Sequence, residues 1–77
     1  MKVEIITPDK ALFQGEATYV GVPGVDGRMG FLENHAPLIT VLRAGEVKVR
    51  TEKGEELFPV SGGVVEVSNN TVLVLAE

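Results

Sequence analysis

The chain has 77 residues, 44% of them hydrophobic and 23% charged, with seven Lys or Arg against eleven Asp or Glu and a formal net charge of −4. That length makes a single domain, residues 1–77, near the size at which folding buries only ~60% of the unfolded surface, and the composition excludes a disordered chain. Cysteine is absent, which excludes a disulfide framework and a thiolate metal site, so stability has to come from apolar packing or from a partner.

Lys2 to Thr7 alternates apolar and polar side chains and predicts a strand, broken by Pro8-Asp9-Lys10. Its early acid is unlike a signal or transit peptide, and no run is long enough for a transmembrane helix. Gln14-Gly15 reads as a second breaker before a strand over Glu16 to Val22. Val22 to Leu38 then gathers Gly24, Gly27, Gly30, Pro23, Pro37 and the only histidine, His35. So many glycines at that spacing predict a loop or a chain of bulged turns, with Val25, Arg28 and Met29 exposed at its tip.

Asn34 could cap a helix, but Leu38-Ile39-Thr40-Val41-Leu42 is contiguous and rich in β-branched residues, and Gly45 ends it early, so it is assigned as a strand. Glu46-Val47-Lys48-Val49-Arg50-Thr51 has the strictest alternation, a half-buried strand. Lys53-Gly54 turns the chain into Glu56–Val60, where Pro59 marks an edge or a bulge. Val64–Val67 and Thr71–Leu75 form a second hairpin around Ser68-Asn69-Asn70, because asparagine tolerates left-handed turn geometry. The last strand is apolar on both faces, so one face is deep in the domain or covered from outside. The expected fold is all-β, a small antiparallel β-sandwich or flattened barrel.

The candidates for chemistry are few. Asp26, Glu33 and His35 could supply acid–base catalysis or a metal site, but a zinc site ordinarily needs three ligands dominated by His or Cys. A turn histidine bonded to nearby backbone is the plainer reading. Ser61-Gly62-Gly63 departs from the Gly-x-Ser-x-Gly nucleophile pattern, and Gly24, Gly27 and Gly30 lack the spacing and the following helix of a nucleotide loop. The seven basic residues are scattered and aromatics make up 5%, so nucleic acid is not an expected partner. An exposed tip of two apolar groups beside a charge suits docking to protein, against the alternative of a loop that merely connects strands.

The run Gly24-Val25-Asp26-Gly27-Arg28-Met29-Gly30-Phe31-Leu32-Glu33-Asn34-His35-Ala36-Pro37-Leu38, with Gly45, Val47, Val60-Ser61-Gly62-Gly63-Val64-Val65-Glu66-Val67 and Val72-Leu73-Val74-Leu75-Ala76, resembles the epsilon subunit family of bacterial rotary ATP synthase. Thr7-Pro8 and Phe13-Gln14-Gly15 extend the resemblance over nearly the whole chain. The mitochondrial counterpart is called delta. The resemblance implies a β-sandwich of about ten short strands and a non-catalytic rotor subunit that binds the gamma subunit and the c ring of the proton- or sodium-driven motor. It implies a peripheral place on the cytoplasmic face of the bacterial plasma membrane, or the stromal thylakoid face in a plastid, with no direct insertion into the membrane.

By position, Val25, Asp26, Arg28 and Met29 would face the c ring, and Thr7, His35 and Thr40 would face gamma, with Thr7 near the other two. Family members often carry an acid at the place of Arg28, which implies an acidic ring partner or a water-mediated contact here. Members usually continue past Ala76-Glu77 into two helices, some of which bind ATP. This chain stops there, as an excised domain or a short form, so no helical hairpin, nucleotide site, cofactor or metal is expected. The alternatives are a stand-alone sandwich that binds a sugar or small acid, which would need exposed aromatics, and a small metal-dependent barrel enzyme.

Overall fold

The computed structural model describes residues 1–77 and contains nine strands and no helix. They are β1 (Lys2–Ile6), β2 (Ala11–Glu16), β3 (Tyr19–Gly24), β4 (Gly27–Leu32), β5 (Leu38–Leu42), β6 (Gly45–Thr51), β7 (Gly54–Val60), β8 (Gly63–Ser68) and β9 (Thr71–Ala76). They form one folded sheet in the order β2-β1-β9-β8-β5-β3-β6-β7, with β4 on β3. The fold line lies between β5 and β3, which share only the pair Gly24–Leu42 in register, reinforced by Val25 N–H to Val41 O at 3.0 Å and Arg43 N–H to Pro23 O at 2.9 Å. The two ends of the path meet through Phe13 and Phe58, edge to face with centroids 5.8 Å apart. The result is a nearly closed sandwich of the expected class.

Alternation decides what lies between the layers. Val3, Val72 and Val67 stand side by side in one inward row, and Ile5, Val74 and Val65 in the next. Val20, Val22, Phe31, Val47 and Val49 answer from the other layer, and all of these side chains are buried. Burying each contributes roughly 1.5–3 kcal/mol, so a core made mainly of valine suffices for a thin domain. The Asn69 and Asn70 turn is left-handed at both residues (φ 50° and 55°), the geometry that matches strand twist in a two-residue hairpin.

Three strand readings change. Gln14 and Gly15 do not interrupt the chain; they lie inside β2, an edge strand held to β1 over five residue pairs, where hydrogen bonding outweighs glycine's weak strand preference. The segment from Val22 to Leu38 is mostly a tight hairpin, since β3 and β4 pair from Tyr19–Leu32 to Gly24–Gly27 and leave Val25-Asp26 as a two-residue tip. Only residues 33–37 remain irregular. The ladder is also not wholly antiparallel, because β1 and β9 run parallel.

The amino terminus is tied into the base of the sandwich. The Met1 α-ammonium donates to Ala17 O at 2.9 Å and to the Glu33 carboxylate, and lies 3.6 Å from Glu16. Asn70 Nδ2 donates to the other Glu33 oxygen at 2.9 Å, while Asn70 Oδ1 accepts from the Asn34 N–H at 2.7 Å. These contacts hold the Glu33 carboxyl below its ordinary value of 4.5, chiefly through the α-ammonium and next through Asn70. Glu55 is lowered in the same way, first by Arg50.

A carboxyl whose pKa is depressed on folding contributes stability above its ordinary pKa, and that contribution is lost as pH falls through the folded value. Glu33→Gln is therefore expected to lower the melting temperature at neutral pH, and its gap from the parent is expected to narrow at an acidic pH, as the pH falls through the folded pKa of Glu33 below its ordinary 4.5. An equal gap at both pH values in thermal melts would show that the ion pair contributes nothing.

Gly63 carries a second test. It has φ +140°, and a Cβ there would lie 2.1 Å from Leu75 O. Gly63→Ala is expected to cost on the order of 2 kcal/mol, a fall in Tm of roughly 8–16 °C for a domain of this size. A loss of less than about 2 °C would refute the clash.

Candidate functional site

The outer face of β1, β9, β8 and β5 departs from the polar surface that strand alternation ordinarily gives. Ile6 pairs with Leu75, Leu75 with Val64, and Val64 with Val41, so one aliphatic row crosses four strands. Leu75, Val64 and Val41 are 50%, 36% and 53% exposed. The adjoining row runs Glu4, Leu73, Glu66 and Ile39, with Ile39 at 68% exposure. Val25, also exposed, extends the patch at the hairpin tip, where its N–H bonds to Val41 O. A contiguous aliphatic patch rimmed by Glu4 and Glu66 has the composition of a protein-docking surface. The apolar outer face of the last strand signalled it, but its extent depends on strand neighbours no local pattern reveals.

The ring-facing candidates divide. Val25 and Asp26 are exposed at the β3–β4 tip. Met29 is not exposed as expected; opposite Val22 it points inward and packs against the core. Arg28 is exposed but does not project from the tip, because its side chain crosses β3 and donates from Nη1 to Glu46 O at 2.9 Å.

The gamma-facing candidates divide as well. Thr7 closes the β1–β2 turn, with its hydroxyl donating to Lys10 O at 3.1 Å and accepting from the Asp9 and Lys10 N–H groups. His35 belongs to the other end of the sheet, near Asn34 and Asn70, and lies edge-on to Phe31 at 5.1 Å. Lys2 N–H bonds to Asn70 O, so β1 separates that end from Thr7 by ~17 Å at the rise of an extended strand. Thr7 and His35 are thus not neighbours, contrary to the expectation. Thr40 is half-buried on the inward side of β5, opposite Val65.

Catalytic readings do not assemble. The length of β4 separates Asp26 from Glu33, Glu33 is engaged by Met1 and Asn70, and His35 Nδ1 sits 2.7 Å from Ala36 O. No group of three or more His, Cys, Asp or Glu side chains is placed to hold a metal. The Ser61 hydroxyl donates to Glu77 O at 3.0 Å. The largest concavity, about 660 Å3, is an open groove between β2 and the β6–β7 turn, with Glu16, Glu33, Glu52 and Glu56 on its walls. Phe31 is buried and Phe13 packs on Phe58, so none of the three offers an exposed stacking platform for a sugar. No helix of the structure is long and apolar enough to cross a membrane.

Residues 1–77 match the family of the ATP synthase delta/epsilon chain β-sandwich domain. The chain is 42% identical over 77 residues to the ATP synthase epsilon chain of Chlorobium limicola, covering 99% of this chain and 88% of that one. Two solved assemblies contain chains of the same fold. One is the Euglena gracilis mitochondrial ATP synthase OSCP/F1/c-ring assembly (TM-score 0.88, 22% identity, 96% of this chain and 48% of that one). The other is the Tetrahymena thermophila mitochondrial ATP synthase central stalk and c ring (TM-score 0.85, 20% identity, 99% and 62%). The chain thus spans about half to three-fifths of the length of those two neighbours. With its full length matched and a relative of this identity alongside, the chain belongs to the delta/epsilon chain family of ATP synthase.

Proposed function

We propose that the chain is a non-catalytic subunit of the ATP synthase central stalk, docking on gamma through the aliphatic outer face and on the c ring through the hairpin tip. The observation that carries this reading is the row Ile6–Leu75–Val64–Val41, which a domain working alone would have no reason to expose. A subunit that turns with two partners lowers no reaction barrier; it must transmit torque without slipping. The sandwich serves this because a close-packed core deforms little under load. In this reading Val25 and Asp26 meet the polar loops of the ring with Arg28 at their flank, and Thr7, His35 and Thr40 lie toward gamma or support the surface that does. Both partners belong to an assembly at the membrane, so the chain is held at the cytoplasmic surface, or its plastid equivalent, without entering the bilayer.

The two interfaces differ in chemistry and are separable by mutation. Each aliphatic anchor is already part-buried in the free chain, so removing one forfeits about 1 kcal/mol, roughly fivefold in affinity, and an aspartate in its place adds the cost of desolvating an unpaired charge. Leu75→Asp and Ile39→Asp are expected to weaken calorimetric binding to cognate gamma by at least tenfold, whereas Asp26→Arg loosens assembly with the c ring and leaves gamma binding intact. Unchanged gamma affinity in both aliphatic variants would overturn the assignment of the face, and equal loss of both partners in Asp26→Arg would overturn the division of labour.

A further inference from the structure

The outer face of the opposite layer, formed by β4, β3, β6 and β7, has a different chemistry. Tyr19 does not join the core. Its ring lies across the cross-strand pair Gly21–Gly30, and a Cβ built on Gly21 or Gly30 would stand 2.9 or 2.7 Å from its Oη. Those two glycines let an aromatic ring lie flat on the sheet, a close approach no other residue permits there. Arg50 covers the ring at 4.9 Å from its centroid and is held by Glu55 at 2.7 Å. Tyr19 is thereby clamped, and its hydroxyl points along the face toward Arg28.

Two further cations lie on the same face. Arg28 Nη1 is anchored on Glu46 O, while Nη2 comes within 3.3 Å of the same Gly21 Cβ position that Tyr19 Oη approaches. Lys48 stands opposite Gly21 on β6 and is half-buried. Neither Arg28 nor Lys48 forms an ion pair. The acids of this face are Glu55, bonded to Arg50 and also in the field of Lys48, and Glu46, which lends Arg28 its backbone carbonyl. A chain with a net charge of −4 thus leaves two unpaired cations beside a fixed hydroxyl.

We propose that Tyr19, Arg28 and Lys48 form an oxyanion cradle that takes a phosphate group. A guanidinium, an ammonium and a phenol borne on three adjacent strands of one face suit a tetrahedral anion with several acceptor oxygens better than a planar carboxylate. The anchors on Glu46 O and on the glycine pair pre-set two of the three donors, so binding orders few side chains. The phosphate is that of a soluble compound or of a lipid headgroup, and the site lies on the layer away from the aliphatic face.

The test is an amide NMR titration of the chain with inorganic phosphate, against sodium chloride at matched ionic strength. Saturable shifts confined to residues around Tyr19, Arg28 and Lys48 are expected, with apparent affinity falling about tenfold in Arg28→Gln or Lys48→Gln. Tyr19→Phe keeps the ring on the glycines and under Arg50, so a smaller loss of affinity with an unaltered spectrum elsewhere isolates the hydroxyl. Sedimentation with phosphatidylglycerol and phosphatidylcholine vesicles separates the sources. Binding to the anionic vesicles that both Gln variants lose assigns a lipid headgroup; phosphate shifts without vesicle binding assign a soluble phosphate compound. No saturable shift and no vesicle binding, or binding that survives both Gln substitutions, overturns the cradle.

Discussion

The side-by-side pairing of the first and last strands is the constraint on which the rest of this molecule depends. β1 and β9 run parallel in the middle of their layer, with Val3 beside Val72 and Ile5 beside Val74. A parallel pair needs a long crossover connection, and here that connection is nearly the entire chain. The pairing joins β2 to β8 and β5, completes the inward valine rows, and places Ile6 next to Leu75 on the outside. The outer aliphatic row cannot exist before the two ends of the chain have met. Such sequence-distant contacts pay their loop-closure entropy late, so the face is expected to form after the local hairpins.

Local signals were read correctly where a turn or a period is self-contained. Asn69-Asn70 specified its hairpin through left-handed tolerance, and Glu46–Thr51 specified its buried face through alternation. Two strands were missed for one reason: glycine weakens the local strand signal, and neither Gly15 in β2 nor Gly30 in β4 has a side chain to report the partner that holds it. Gly30 is there to admit Tyr19, a fact that lies eleven residues away in the chain and diagonally across the neighbouring strand.

The candidate site was legible to a similar depth. The exposure of Val25 at the tip followed from the glycine spacing, and the need to bury or cover the faces of the last strand followed from its composition. The inward turn of Met29, the reach of Arg28 across β3 and the separation of Thr7 from His35 did not, because each depends on register. A one-residue change of register reverses every side chain of a strand, so a window read without its partners cannot say which face Met29 occupies. Once the pairing Val22–Met29 is known, its inward direction is obligatory.

The size of the aliphatic face bears on how such a subunit stays attached. Leu75, Val64, Val41 and Ile39 are only partly exposed in the free chain, so covering each completes part of its burial and contributes about 1 kcal/mol rather than the full 1.5–3. Four or five such gains sum to about the lower end of the ~4–15 kcal/mol that association costs in lost rigid-body freedom. The face therefore supplies register and modest affinity, and firm attachment requires a second contact made while the first is in place. The tip at Val25-Asp26 stands at the border of that face and is joined to it by the Val25–Val41 hydrogen bond, so under the proposed division a partner engaged on the face would hold the tip at high effective concentration for the other. Two individually weak contacts on a rigid sandwich can then hold as one strong contact, and the stiffness of the valine core is what lets the second benefit from the first.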